Sequence, residues 1–228
     1  MTSDQTLRAL DDFIRARSIL QHPFYRAWQV GELTRDQLAT YAQGYYPHVA
    51  AFPGYLKNAI NRASDSPTKL ALQQNLDDEM TKPAPHSELW LDFATATGQD
   101  RQAVACAKPP PKTVSTIAAF ERLTNRDIAS GLTALYAYES QQPDVAAEKL
   151  RGLRQFYQMQ CPEAVNYFSV HAVADLEHRA AERSAIQRCL DSGTPPTAIM
   201  DAAEEALDAY WNLLDGVCEE ANLQLTET

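Results

Sequence analysis

The spacing of apolar residues is the feature that most constrains how this chain can fold. Apolar side chains recur at helical intervals along almost all of the 228 residues. Alternating, β-branched runs bounded by turn residues, which would indicate strands, are absent. The sequence therefore predicts an all-α fold. The predicted helices cover roughly residues 4–18, 34–62, 67–81, 86–97, 112–129, 131–141, 144–158, 162–190 and 196–221.

Proline-containing segments separate these helices, because proline has no N–H to donate within a helix. They are residues 82–85, 109–111, 142–143 and 193–196. We expect Pro47 or Pro53 to kink the long helix 34–62. Neither a long linker nor an internal repeat interrupts the pattern. The sequence thus predicts one domain over residues 1–228, folded as a single helical bundle.

Composition narrows the classes of partner. A net charge of −10 would repel phosphate backbones, so we expect no nucleic-acid partner. No run of about 18 apolar residues could span a bilayer, and the first residues lack the features of a secretory signal. We therefore expect a cytoplasmic protein without a membrane partner. The four scattered cysteines form no CxxC pair and are expected to be reduced thiols.

One predicted helix carries the pattern His-x3-Asp-x2-His. At about 100° per residue, His171, Asp175 and His178 lie within roughly 60° of one another on the helix surface. One helix face thus presents three side chains able to bind a metal ion. Taken alone, the motif is equally compatible with a solvated polar face.

Polar side chains also occupy core positions on three other predicted helices. Glu139 follows Leu132, Leu135 and Tyr136 at the spacing of a buried stripe. Glu79 continues a similar row, in which Asp77 and Asp78 turn away and are expected to be solvated. His86 begins another row. Its apolar members are Leu89, Trp90 and Phe93.

Several inward carboxylates require cations, because an unpaired buried charge is costly. None of these stripes offers a Lys or Arg at helical spacing. A metal site meets the requirement, and carboxylates with imidazoles suit Fe or Mn. Three ligands per ion leave coordination positions open, as dioxygen activation requires. The predicted ligands of this dimetal site are Glu79, His86, Glu139, His171, Asp175 and His178.

In order and spacing, these six residues resemble the ligand set of the haem-oxygenase-like dimetal oxidases. Within that family the chain is most similar to the CADD-like proteins, named from the chlamydial protein associating with death domains. The resemblance covers most of the chain. It extends to residues 22–25 near the start, and to Tyr138, Lys149 and Tyr167.

The resemblance implies a haem-oxygenase-like bundle that forms para-aminobenzoate for folate synthesis from its own side chains, in a single turnover. Tyr25 would supply the ring and Lys149 the amino group, while Tyr138 and Tyr167 would assist electron or radical transfer. The implied cofactors are two transition-metal ions, Fe/Fe or Fe/Mn, with dioxygen and an external reductant. The electron donor and the oligomeric state stay open, a homodimer being one option.

Three alternatives remain at this point. A dimetal oxygenase acting on a separate small substrate fits the ligand set equally well. A thiaminase-like or metal-free relative of the same fold would leave the six residues unexplained. An acidic helical bundle could also be an interaction module.

Several other residues have ordinary readings. Without the resemblance, Tyr25 would be an aromatic residue at a junction between a loop and a helix, and Lys149 an exposed lysine. His22 and His48 are expected to be hydrogen-bonded core histidines. Glu182 lies on the same helix face as His171, one turn past His178, and either supports the metal ligands from behind or forms a salt bridge with Arg179.

Overall fold

The computed structural model describes residues 1–223, and within them every regular element is helical. The predicted all-α fold is confirmed. The helices are α1 (Ser3–Ala16), α2 (Pro23–Val30), α3 (Arg35–Arg62), α4 (Ser66–Thr81), α5 (His86–Ala96), α6 (Arg101–Cys106), α7 (Pro111–Arg126), α8 (Ile128–Glu139), α9 (Gln142–Gln155), α10 (Pro162–Asp191) and α11 (Pro196–Glu220). A short 3-10 turn, Ile19–Gln21, precedes α2.

The nine predicted helices are present with ends shifted by a few residues, but two short helices were missed. Those are α2 and α6, of eight and six residues. Each has too few turns for a periodic pattern to stand out. The expectation that Tyr25 lies at a loop-to-helix junction agrees with the structure, because Tyr25 is in the first turn of α2.

Local sequence signals explain where several helices begin. The Thr2 and Thr34 side chains accept hydrogen bonds from the backbone N–H groups of Gln5 and Gln37. In return, the two Gln side-chain oxygens accept hydrogen bonds from the backbone N–H groups of the threonines. Asp127 separates α7 from α8, since its side chain accepts a hydrogen bond from Ser130 N at 2.8 Å. Helix α3 runs through both of its prolines.

Helix α10 is the element that organises the site. It packs against α9, α5, α8 and α4, while α11 covers α7 and α8 on another side of the bundle. Glu79 lies near the end of α4, His86 begins α5 and Glu139 ends α8. The ends of three helices therefore meet the middle of α10.

A close approach between α2 and α9 shapes a second part of the interior. A Cβ added at Gly152 of α9 would lie 2.3 Å from Trp28 Nε1 of α2, so only glycine leaves room for the indole ring. This contact sets α2 directly against the stretch of α9 that carries Lys149.

Two further expectations concern thiols and membranes. The four cysteines are free in the structure, as expected. Among residues 1–223, no helix combines the length and apolarity needed to cross a bilayer.

Candidate metal centre

The structure gathers the six predicted ligands into two adjacent, buried groups. Each group offers one ligand atom per residue, and these atoms lie within 4.8 Å of one another. The first group is Glu79, His86 and His171, and the second is Glu139, Asp175 and His178. The stripes that predicted their inward direction are also buried.

In the first group, two imidazoles converge on one carboxylate oxygen. Glu79 Oε1 lies 2.8 Å from His86 Nδ1 and 3.6 Å from His171 Nε2. Helix α10 thus supplies one of the imidazoles, and the short α4–α5 connection brings the other close to Glu79.

The second group is built around a single imidazole nitrogen. His178 Nδ1 lies 3.3 Å from Asp175 Oδ1 and 3.4 Å from Glu139 Oε1. Asn75, which sequence reasoning missed, donates to both Glu139 oxygens at 2.9 and 3.1 Å. Its position one turn before Glu79 on α4 was the signal that could have revealed it.

Contacts behind the histidines determine which nitrogen faces the centre. His86 Nε2 lies 3.1 Å from Lys82 O, and His171 Nδ1 lies 2.8 Å from Tyr167 O. His178 Nε2 lies 3.2 Å from Asp78 Oδ2. If each of these nitrogens carries the proton, the other is left as a lone pair aimed at the cluster, which is the arrangement of metal-binding histidines.

Asp78 therefore differs from its sequence-based expectation. It was expected to point away into solvent, yet this partly exposed carboxylate contacts both His178 and Lys82. Lys82 lies one helical turn after Asp78, which brings its amine to 3.0 Å from the carboxylate. The spacing on α4 correctly separated Asp78 from the buried row, but it could not show that α10 would reach across to it.

Unmet hydrogen-bonding capacity concentrates at this cluster. His86 Nδ1, Asp175 Oδ2 and Asn75 Oδ1 are buried without a hydrogen bond of acceptable geometry. Native proteins leave few buried polar atoms in this state. Carboxylate oxygens and imidazole nitrogens that are pre-oriented but unpaired fit a pair of iron or manganese ions.

In the absence of metal, the negative charges of the buried carboxylates are balanced by protons bound to the neighbouring imidazoles. Burial would raise the pKa of Glu79, but its close contacts with the His171 and His86 imidazoles lower it to about 2. Burial would lower the pKa of His171, yet the Asp175 charge and the Glu79 hydrogen bond raise it to about 9. Without metal, imidazolium ions therefore serve as the cations that these carboxylates require.

Glu182 lies beside the second group and is only 3% exposed. Of the two readings left open, the structure favours support of the cluster. Glu182 faces Glu139, whereas Arg179 donates to Ser140 O at 3.4 Å. Burial, together with the Glu139 charge, raises the pKa of Glu182 well above its usual value. As a carboxylate, it has no hydrogen-bond partner for either oxygen.

Tyrosines connect the first metal group to the interior near α2. The Tyr167 ring lies 4.2 Å from the His171 ring, measured between centroids. Tyr138 OH lies 3.0 Å from Tyr45 OH, which lies 3.3 Å from Tyr210 OH. Tyr210 in turn interacts with Tyr25. Tyr45 and Tyr210 were not singled out in the sequence.

Lys149 ends this series inside an aromatic cage. It is 3% exposed, so the default expectation of an exposed lysine was wrong. Its Nζ donates to Tyr41 OH and lies 5.4 Å from the Tyr25 ring centroid and 5.0 Å from that of Phe168. Burial holds the pKa of Lys149 well below its ordinary value, which favours a neutral amine.

The remaining two histidines have structural contacts elsewhere. His22 caps α2, its Nδ1 accepting a hydrogen bond from Phe24 N at 3.1 Å. His48 is buried, with Nδ1 3.3 Å from Tyr55 OH, and burial lowers its pKa to about 3. Neither belongs to the two groups of candidate metal ligands.

Comparison with known proteins identifies the family. A haem-oxygenase-type family described as iron-containing redox enzymes matches residues 39–211, most of the chain. The chain belongs to this family. A 4-aminobenzoate synthase of Nitrosomonas europaea is 37% identical over 229 residues, covering 96% of this chain and 93% of the relative. One of Chlamydia muridarum is 36% identical over 216 residues, covering 94% and 91%.

Solved structures agree on the architecture. A CADD-like protein of Nostoc punctiforme superimposes with a TM-score of 0.73 at 19% identity, covering 98% of this chain and 99% of that one. The predicted haem-oxygenase-like bundle and the resemblance to CADD-like proteins are both confirmed.

Proposed function

We propose that this protein forms 4-aminobenzoate, a folate precursor, with a dimetal centre held by the two groups and with its own Tyr25 and Lys149 as the sources of carbon and nitrogen. Its relatives in this family named 4-aminobenzoate synthase support the product. The buried site supports the chemistry.

The two groups would each hold one metal ion, Fe/Fe or Fe/Mn. The ions would activate dioxygen with electrons from an external reductant. The protein's part is to hold three donors per ion and leave room for further ligands. Once metal displaces their protons, His86 Nδ1, His171 Nε2 and His178 Nδ1 would present lone pairs to the ions, because the opposite nitrogens are held by other contacts.

The carbon skeleton of tyrosine matches the product atom for atom. The tyrosine ring and Cβ contain seven carbons in para arrangement with the phenol oxygen, and 4-aminobenzoate contains seven carbons in para arrangement with its nitrogen. Conversion requires cleavage of the Cα–Cβ bond, oxidation of Cβ to a carboxyl group and replacement of the phenol oxygen by the nitrogen of Lys149. The phenol oxygen would leave as water, and the bond between Lys149 Cε and Nζ would break with Cε oxidised to the aldehyde level. Dioxygen would be the oxidant.

One observation carries the proposal most strongly: Lys149 is a buried amine facing the Tyr25 ring. Burial alone accounts for its lowered pKa, with no charged neighbour contributing. A lysine in this position is costly to the fold, because its charge is desolvated without a counter-ion. A neutral amine 5.4 Å from the centroid of a phenol ring can serve as a nitrogen donor.

The tyrosine series supports transfer of oxidation from the metal groups to Tyr25. The Tyr167 ring lies against the His171 ring. The Tyr45 hydroxyl is within hydrogen-bonding distance of the Tyr138 hydroxyl on one side and of the Tyr210 hydroxyl on the other. Burial raises the pKa of Tyr25 well above its usual value, so the phenol stays protonated until it is oxidised. Proximity would make this ring a better substrate than a diffusing one.

Isotope labelling tests the origin of the atoms. Protein containing labelled tyrosine, loaded with metal and exposed to reductant and dioxygen, should release ring-labelled 4-aminobenzoate without added aromatic substrate. Lysine labelled at Nζ should transfer its nitrogen. The yield should not exceed one product per chain, because each chain has one Tyr25.

Substitutions identify the residues. Tyr25→Phe and Lys149→Arg should abolish product while metal content stays close to wild type. The matched control is Tyr55→Phe, which removes the hydroxyl of a buried tyrosine that contacts His48. Repeated turnover on an added substrate by Tyr25→Phe would instead favour a conventional dimetal oxygenase.

A further inference from the structure

An open cleft of about 240 Å³ lies between α4 and α10, directly beside the second metal group. Its wall includes Asp78, Glu177, Glu182 and His178, with Lys82 as a cation. The other two cavities that touch predicted ligands measure about 10 Å³ each. Among the described residues, this cleft is therefore the roomiest approach to the centre, and carboxylates predominate among its charged groups.

A divalent ion cannot enter a dry protein interior as a bare charge, because loss of its water shell must be compensated by new ligands. Of the six predicted ligands, only His178 lines the cleft. Its nitrogen on that side contacts Asp78. Asn75 also lines the cleft, but its amide oxygen carries no charge. A carboxylate between the cleft and Glu139 would therefore assist the transfer more strongly.

Glu182 has the position and the unmet bonding capacity for that step. It lines the cleft and faces Glu139, and in its ionised form neither of its buried oxygens receives a hydrogen bond from a donor. A buried acid is expensive, and a purely structural role as a hydrogen-bond donor to Glu139 could be filled by glutamine.

We propose that Glu182 is the uptake ligand of this centre, a carboxylate that takes a divalent metal ion from the α4–α10 cleft and passes it to the group formed by Glu139, Asp175 and His178. This inference rests on the proposed dimetal centre. It adds a seventh metal-binding residue, one that acts during loading and is absent from both three-residue groups.

The test measures the rate of metal uptake. Metal-depleted full-length protein is mixed anaerobically with Fe(II), quenched with a chelator at set times and assayed for bound iron. Glu182→Gln, which keeps shape and a donor for Glu139, should load about tenfold more slowly. It should reach the wild-type number of ions at equilibrium, because the resident ligands are intact. Glu182→Asp, which retains a carboxylate, should load faster than Glu182→Gln.

Glu177→Gln is the matched control, since it removes one exposed negative charge from the same cleft. It should change the uptake rate by less than twofold. Wild-type uptake in Glu182→Gln, equal slowing in Glu177→Gln, or loss of one ion at equilibrium with an unchanged rate would each overturn the proposal. Wild-type protein that binds no iron would instead contradict the dimetal centre itself.

Discussion

Lys149 shows most clearly how one residue departs from the rules of the rest of the fold. Exposure is the norm for lysine, and the neighbouring residues of α9 gave no sign that this position faces the core. The direction became visible only once α9 was packed against α2 and α10. Sequence periodicity predicts which face of a helix is apolar. It does not reveal a polar residue that the fold buries even though its desolvation lowers the stability of the folded state.

That cost can be measured as a function of pH. The pKa of Lys149 is lowered in the folded state, so between this value and the ordinary lysine pKa of about 10.4 the unfolded chain binds more protons. The free energy of unfolding should therefore increase with pH across this window. Lys149→Met should be more stable than wild type at pH 7, and its advantage should shrink as pH rises towards 10.

Urea unfolding of metal-depleted protein at several pH values would check this expectation. Lys57→Met, at an exposed position on α3, provides the control and should change stability by less than about 0.5 kcal/mol. An advantage of Lys149→Met that stays constant with pH would show that the buried amine keeps its proton.

Tyr138 provides a separate residue-level prediction. Tyr138→Phe removes the hydroxyl that lies 3.0 Å from Tyr45 OH, interrupting the tyrosine series without emptying the core. Product per chain should fall at least tenfold, while metal content remains unchanged. Tyr55→Phe should retain wild-type yield when both are assayed by product quantification after one exposure to dioxygen.

At the scale of helices, the contact between α2 and α9 holds together the two helices that carry Tyr25 and Lys149. Gly152→Ala would place a methyl group 2.3 Å from Trp28 Nε1, and the rigid indole would have to shift. We expect destabilisation of about 1–3 kcal/mol from overpacking, with reduced product yield. Thermal and urea unfolding would measure the change.

Gly54→Ala is the matched helix substitution, since an added Cβ there meets nothing within 4 Å. It should stabilise the protein by about 0.5–1 kcal/mol through helix propensity alone. If Gly152→Ala behaved in the same way, α2 would not be held against α9 as the structure shows.

The helices that carry the candidate metal ligands could be predicted from sequence, because each is long enough to show an apolar row and the polar residue that interrupts it. Glu79 and Glu139 interrupt apolar rows, and α10 carries three ligands within two turns. Helix α2 has no such pattern, so no helix was predicted over residues 23–30. The pairing of ligands into two groups depends on how helices cross, which spacing within one helix does not determine.

For the molecule as a whole, metal binding and folding should be linked. The second group and Glu182 bring three carboxyl groups together in the interior, and without metal their repulsion is relieved mainly by bound protons. Metal at about 100 times its Kd would stabilise the folded state by roughly 2.7 kcal/mol per site. Calorimetry should therefore show a higher Tm for the loaded protein than for the metal-depleted one at neutral pH.

His171→Ala should reduce that difference, because it removes a donor from the first group while the apolar stripes still fold the bundle. A Tm indifferent to metal in the wild type would favour the reading of these residues as a polar face without ions. The extent of the domain over residues 1–228 and the oligomeric state stay predictions.

The complete burial of Tyr25 has a consequence for the life of the molecule. If its ring leaves as product, the chain loses a side chain that is 0% exposed and acquires a void in its interior. Deleting a large aromatic side chain from a core typically costs about 3–5 kcal/mol, a large share of the stability of an ordinary domain. A spent copy would thus unfold more readily than a fresh one and become an easier target for proteases. Product formation would therefore shorten the lifetime of each chain that has reacted.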